Sequence, residues 1–404
     1  MIKCGSLTTD GSGNATVSLG WEPQWVLIKQ TNGSGQWILG DTMRGLIVDG
    51  SAGNDKRLFP NLSNAETDGP IVDPTATGFY LTGAIGANAD VIYIAIRRGP
   101  MKTPTSGTSV FSPNAVTGNA LVTTNFPVDS AWIDDRGGGS TLVTDRLRGS
   151  SQTYYNNLST TSTAAENTGT GAGLGFDNNT GYQMNAWGGT SQANINWNFR
   201  RAPGFFDVVC YTGTGVARTI THNLGVAPEM LVVRSRNITG SWVTQVSSLG
   251  PTKYIRFDSN GAAGTVDIWN DTSPTSTVFS VKTDPWVNGL TTTYVAYLFA
   301  SVAGVSKVGS YTGNGSSQTI NCGFTGGARF VLLKATSTTG DWVVFDSARG
   351  IVSGNDPYLR LNSAAAEVTD KDAVDTDSTG FVVNETTGPN INTNGVTYIY
   401  LAIA

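Results

Sequence analysis

Residues 342–350 read Trp342-Val343-Val344-Phe345-Asp346-Ser347-Ala348-Arg349-Gly350. They stand between two apolar runs, Phe330-Val331-Leu332-Leu333-Lys334 and Pro357-Tyr358-Leu359-Arg360-Leu361-Asn362. The same grammar recurs near the start of the chain: Trp25-Val26-Leu27-Ile28-Lys29, then Trp37, Asp41, Arg44 and Gly45. A third copy keeps Asp145, Arg148 and Gly149, with Thr141 in the Trp position. A fourth keeps Trp242 and Gly250 but carries Val246 and Leu249 in place of Asp and Arg. From Asp41 the successive steps to Asp145, Val246 and Asp346 are 104, 101 and 100 residues. A period of this length predicts small modules repeated in series rather than one large domain.

Working outward, further markers keep the same register. Thr77-Gly78-Phe79, Thr180-Gly181-Tyr182, Thr277-Val278-Phe279 and Thr379-Gly380-Phe381 each open a penultimate apolar run. Each copy then ends on a final run: Val91–Ile96, Ile195–Phe199, Tyr294–Phe299 and Tyr398–Ile403. Glu66, Glu166 and Glu367 follow their repeat's Asp by 25, 21 and 21 residues. The runs are short, stop at Gly or Pro, and show no sustained 3.6-residue stripe, so they predict strands and little helix. The expected fold is all-β: four tandem antiparallel β-sandwich or jelly-roll-like repeats of about 100 residues each. The expected boundaries are 1–99, 108–202, 203–303 and 304–404, with the Pro- and Gly-containing stretch Gly99–Thr108 as a linker and repeat two the most divergent.

Composition narrows the function classes. The 50 glycines supply turn chemistry, and 10 Trp, 13 Tyr and 15 Phe supply buriable area. Charged residues are only 14% and the net charge is −5, with no basic stripe interleaved with aromatics. Nucleic-acid binding through phosphate neutralisation is therefore not expected. The longest apolar runs are far too short to span a bilayer as a helix, and Met1-Ile2-Lys3-Cys4-Gly5 opens no signal-peptide core. Cys4, Cys210 and Cys322 lie in three different repeats with no C-x-x-C, so neither a disulfide framework nor a zinc site is indicated.

Several segments resemble a domain known from tailed-phage virions. They are Arg200-Arg201-Ala202-Pro203-Gly204-Phe205-Phe206-Asp207, Tyr211-Thr212-Gly213-Thr214-Gly215, and Ile220-Thr221-His222-Asn223-Leu224-Gly225-Val226-Ala227-Pro228-Glu229. The W-x-x-x-D-x-x-R-G blocks at Trp37 and Trp342 fit it as well. The likeness is strong in repeats one, three and four and weak in two. That family occurs as tandem modules in tail-fibre-like and other structural proteins of phages, often marine ones. The resemblance implies a place on the virion surface, synthesis in the host cytoplasm, and no defined catalytic residues.

Each candidate constellation has a structural reading beside it. An exposed Asp–Arg pair contributes only about 0–1 kcal/mol, so a recurring one predicts partial burial and a turn staple. Repeat three supports this, because Val246 and Leu249 replace both partners together, and paired loss of a buried ion pair is tolerated where loss of one partner is not. The repeat motif is therefore read as Trp37, Asp41 and Arg44; Asp145 and Arg148; Trp242; and Trp342, Asp346 and Arg349. His222, the single histidine, sits in a turn with no base–orienter arrangement to make a nucleophile system. The acidic run Glu367, Asp370, Asp372, Asp375 and Asp377 could offer oxygens to Ca²⁺, but it lacks the EF-hand spacing and reads as a solvated loop. Trp25, Trp37, Trp242, Trp342 and Trp197 are expected in repeat cores. Trp187, Trp269 and Trp286, flanked by Gly, Asn and Pro, are the candidates for partner or receptor contact.

The reading is a non-enzymatic structural protein of a phage virion, of tail-fibre or appendage type, serving surface assembly and host attachment. Its rivals are a capsid decoration or head-spike protein and, from a different class, a surface-glycan depolymerase. The depolymerase would need two carboxyls about 5–9.5 Å apart across a groove, and no repeat offers a convincing pair. Expected partners are other virion proteins, further copies of this chain, and a host surface glycan or protein receptor. No cofactor or metal is expected. Without a heptad stretch, any trimer must form through domain faces.

Overall fold

The computed structural model describes residues 1–50, 53–97, 102–151, 154–185, 192–384 and 388–404. The fold is all-β with antiparallel pairing, as the short apolar runs predict. Among the described residues helix is confined to one four-residue turn, Pro285–Asn288, and two 3₁₀ turns.

Each of the four segments builds one larger sheet in a common order. The first strand pairs the last, the last pairs the third, and the third pairs the fourth. In the first module these are Ile2–Thr8, Asp90–Arg97, Pro23–Gln30 and Ile38–Asp41; in the fourth they are Ser306–Thr312, Thr397–Ile403, Phe330–Ala335 and Val343–Asp346. Register makes the motif positions equivalent: Trp25 faces Asp41 and Leu27 faces Leu39, as Phe330 faces Asp346 and Leu332 faces Val344. A smaller sheet covers one face, built from the second strand and the penultimate one (Ala15–Ser18 with Gly78–Leu81, Gln318–Asn321 with Gly380–Val383).

The T-G-F marker has a steric cause. A Cβ on Gly78, Gly181 or Gly380 would stand 1.9–2.0 Å from the carbonyl oxygen of Val17, Val122 or Ile320 on the paired strand. Module three carries Val278 there, and its small sheet has only two strands, Arg218–Thr221 and Val278–Val281. Ile268 occupies the missing third strand's place. Its carbonyl accepts from Lys282 N as that of Ala373 accepts from Asn384 N in module four.

Each module has its own core between its two sheets. A further core is shared by modules two, three and four and is built from the outer faces of their large sheets. Its aromatic contacts close on themselves. Trp132 of module two meets Phe257 and Phe299 of module three at 5.7 and 6.0 Å between centroids. Phe257 meets Trp342 of module four at 4.6 Å, and Phe330 of module four meets Phe111 and Trp197 of module two at 5.1 and 6.2 Å. One backbone bond repeats at all three junctions: Glu166 N to Arg236 O (2.6 Å), Ala263 N to Thr336 O (2.9 Å) and Glu367 N to Arg136 O (3.0 Å). The three modules thus form a closed ring with pseudo-threefold symmetry, head to tail at each junction. Each large aromatic buries about 150–250 Å², roughly 4–6 kcal/mol of gross transfer energy, so the shared core is a principal stabiliser.

Module one docks on the outside of this ring. Glu22, nearly buried, receives Nη1 and Nη2 of Arg201 at 2.8 and 2.6 Å, and Arg201 Nε reaches Asp207 at 2.7 Å. Val48 N donates to Leu147 O, and Arg236 Nη1 donates to Val48 O.

Candidate functional site

The Asp–Arg motif lies where the fourth strand of each large sheet runs into a tight turn, ahead of a glycine with positive φ (Gly45, Gly149, Gly250, Gly350). In module four Asp346 Oδ1 accepts from the backbone N–H of Ala348 and Arg349, and Oδ2 accepts from Arg349 Nε at 2.6 Å. Arg349 also donates to Val344 O and to Glu367 Oε1. Module two repeats the geometry: Asp145 Oδ2 to Arg148 Nε at 2.5 Å, and Arg148 Nη1 to Glu166 Oε1 at 2.6 Å. Both Asp–Arg pairs are fully buried. The glutamates complete the set; their shared spacing after the Asp was the sequence signal for it.

The neighbouring module fills what remains. Trp197 of module two donates its indole N–H to Asp346 Oδ2 at 2.9 Å, while Arg136 of module two forks onto Glu367 at 2.8–3.2 Å. Tyr297 of module three donates its hydroxyl to Asp145 Oδ2 at 2.8 Å, while Arg236 of module three pairs with Glu166 at 3.0 Å. Each wedge holds two arginines, one Asp and one Glu, and so is neutral. Burial alone opposes the charge on Arg148, yet Asp145, Tyr297 and Glu166 hold its pKa well above the ordinary value.

The third junction shows the same geometry with all five polar members replaced. Val246, Leu249 and Ala263 stand where the other modules carry Asp, Arg and Glu. Opposite them Leu401 and Thr336 stand where the others carry an aromatic donor and Arg. Sequence reading detected the paired exchange of Val246 and Leu249. It missed the other three positions, because their partnership crosses modules.

Further donors bind module to module. Trp242 Nε1 donates to Ser159 O and Trp342 Nε1 to Arg256 O, each at 2.8 Å. Lys334 Nζ donates to Asn260 O and Gly261 O of module three at 3.0 and 2.8 Å, and burial lowers its pKa to about 8. Its equivalents are Arg234, bonded to Ala164 O, and Asp134. Asp134 accepts from Thr141 Oγ1 at 2.5 Å, but its Oδ1 is buried without a partner and burial raises its pKa to about 7.

Several expected placements change. Trp242 and Trp342 are fully buried, but in the core shared between modules. Trp25 and Trp37 are only half-buried, on the outer face of the first module's large sheet, because no module covers that face. Trp269 is not a surface contact residue. It is fully buried in the third module's core, because it continues the Ile268 segment that fills the missing strand, and Asn270 and Asp271 turn the chain away at positive φ. Trp286 is half-buried on the short helix, 5.9 Å from the Tyr254 ring with the Arg256 guanidinium 5.9 Å above it. Trp187 lies outside the described residues.

The remaining candidates have structural partners. His222 is buried; its Nδ1 accepts from Leu224 N and its Nε2 lies 3.2 Å from Thr275 O, and burial lowers its pKa. This pattern is that of a neutral imidazole with Nε2 protonated. Asp372 and Asp375 come together with buried Asp356, their oxygens within 4.8 Å of one another. Asp356 accepts from Val352, Ala373 and Val374 N–H, and Asn384 donates to both Asp372 and Asp375. A cleft of about 600 Å³ between modules one and two is lined by Arg146, Arg200 and Arg201. Arg146 donates to Thr42 O and Val128 O.

Fold and wedges together define a class: a repeat protein of β-sandwich modules whose most distinctive charged groups join one module to the next. The chain belongs to the family described as a domain of unknown function, DUF7483, whose model matches residues 106–404. That span coincides with the three-module ring. No curated protein matches the chain.

Proposed function

We propose that this chain is a non-enzymatic structural protein of a tailed-phage virion, of the tail-fibre or appendage type, presenting loops from a rigid β scaffold. The observation that carries the reading is the use of the Asp–Arg–Glu sets. In modules two and four the groups most like a catalytic constellation are consumed in neutral wedges between modules, with both Asp–Arg pairs fully buried, so that they lock the ring. The resemblance of residues 200–229 to modules of phage structural proteins supports the virion location. Copies on one particle would multiply weak loop contacts with other virion proteins or a host glycan, since linked sites gain roughly 10²–10⁴-fold in avidity. Half-buried Trp286 is the contact candidate on the described surface.

The test has two arms. Antibodies raised against the purified chain should label intact particles at the tail by immunogold microscopy, and absence of label from particles would overturn the reading. Incubation with host surface polysaccharide should leave its chain length unchanged. Shortened products, abolished by carboxylate mutation, would favour a depolymerase instead.

A further inference from the structure

We infer that the first module is a trimerisation module, and that three copies of this chain join through it in a ring like the one modules two to four form within a single chain. The face concerned is the outer face of its large sheet. Trp25, Leu27, Leu39, Ile92, Ile94 and Ile96 lie there, all half-buried or exposed, with Ile92 40% exposed. None of them joins the first module's own core.

Register equates each with a residue of the ring core. Ile94 corresponds to Trp197, Tyr297 and Leu401, and Leu27 to Trp132, Val232 and Leu332, every one of them at most 2% exposed. The structure therefore contains, three times over, the solution to what covers this face: the same face of another module, around a threefold axis. A contiguous apolar sheet face left uncovered by its own chain marks an interface.

The donor edge of module one specifically matches that of module four. Lys29 stands at the position of Lys334, Trp37 at that of Trp342, Ile94 at that of Leu401 and Thr31 at that of Thr336. In module four Lys334 and Trp342 reach backbone carbonyls at 256, 260 and 261 of the preceding module. In module one Lys29 Nζ keeps the local bond to Gly35 O, as Lys334 keeps Gly340 O, and the stretch that would receive its remaining donors, residues 60–66, is exposed throughout. The acceptor edge keeps Asp41, Arg44 and Glu66. With Ile94 and Thr31 opposite, that set receives no new donor and relies on its own bonds, Arg44 Nε to Asp41 at 2.7 Å and Nη1 to Glu66 at 3.1 Å. A head-to-tail contact of this kind closes after three copies if it keeps the ring's rotation.

Cys4 provides an internal reporter. It is exposed in the single chain, whereas its counterparts Pro113, Val208 and Val308 are buried in the ring. The experiment is light-scattering mass measurement on the full chain at micromolar concentration, with maleimide labelling of Cys4. The expected mass is three times the 42.4 kDa of the chain. Ile94→Glu and, independently, Lys29→Glu with Trp37→Ala should give folded monomers of unchanged circular dichroism, whose Cys4 labels at least tenfold faster. A monomeric wild type, a dimer or any other stoichiometry, or charge variants that stay trimeric would overturn the inference. The virion reading stands or falls separately, since the mass of the soluble protein does not depend on it.

Discussion

Removing Asp346 alone should be far more damaging than removing the whole wedge to which it belongs. Asp346→Ala leaves the fully buried Arg349 with Glu367 as its one carboxylate, already shared with Arg136, so that one positive charge of the wedge is uncompensated. It also leaves the Trp197 indole N–H without its acceptor. An uncompensated buried charge costs about 3–5 kcal/mol, and an unpaired buried donor about 1–3 kcal/mol more. A loss of roughly 4–8 kcal/mol is comparable to the whole stability of many domains. Asp346→Val with Arg349→Leu removes the ion pair as a unit. Glu367 keeps its fork to Arg136, so the residual cost is the orphaned indole, about 1–3 kcal/mol. Adding Glu367→Ala, Arg136→Thr and Trp197→Leu reproduces the set the molecule already uses between modules three and four; it removes the orphaned indole, at the separate cost of the space Trp197 leaves beside Phe330. The assay is urea denaturation followed by tryptophan fluorescence, comparing midpoints at unchanged slope, with hydrogen exchange at strand Val343–Asp346 to localise the effect. Equal losses in the single and double variants would refute the account of the wedge as a replaceable unit.

Two further outcomes follow from buried groups. Asp134 has a folded pKa raised to about 7 by burial, so between about pH 4 and 7 the folded state holds a proton that the unfolded state has released. Stability of the ring should therefore fall as pH rises through that window, and Asp134→Asn should flatten this slope and stabilise the protein above pH 7; thermal melts from pH 4 to 8 check it, and an unaltered slope would remove Asp134 as its source. Gly380→Ala places a Cβ 2.0 Å from Ile320 O and should part the smaller sheet of module four, costing about 1–3 kcal/mol as overpacking does. Amide exchange should then quicken in Gln318–Asn321 and Gly380–Val383 but not in the first module; a neutral substitution would mean that the strand pair can give way there.

Much of this molecule could be read in its sequence. Period-two apolar runs, glycine stops and the near-100-residue step sufficed for an all-β fold, since side-chain alternation and turn chemistry are local and survive repetition. The Asp–Arg pairs were legible for the same reason: three residues of one turn bring them together, and a shared exchange to Val246 and Leu249 marks them as a pair. The glutamate of each set showed only as a spacing.

What the linear pattern could not decide was which apolar face is covered, and by what. Trp37 and Trp342 lie at equivalent positions, on the same face of their modules' large sheets. One is half-buried and the other wholly buried, only because modules two to four close around an axis and module one stands outside it. Trp269 was misread as a surface residue because its burial depends on a strand that module three lacks. The partners of Asp145 and Asp346, Tyr297 and Trp197, are 152 and 149 residues away. Local periodicity reports the geometry of one sheet. Burial, pairing and charge neutralisation are set by the rotation that brings one sheet against the next, and that rotation exists only in the assembled fold.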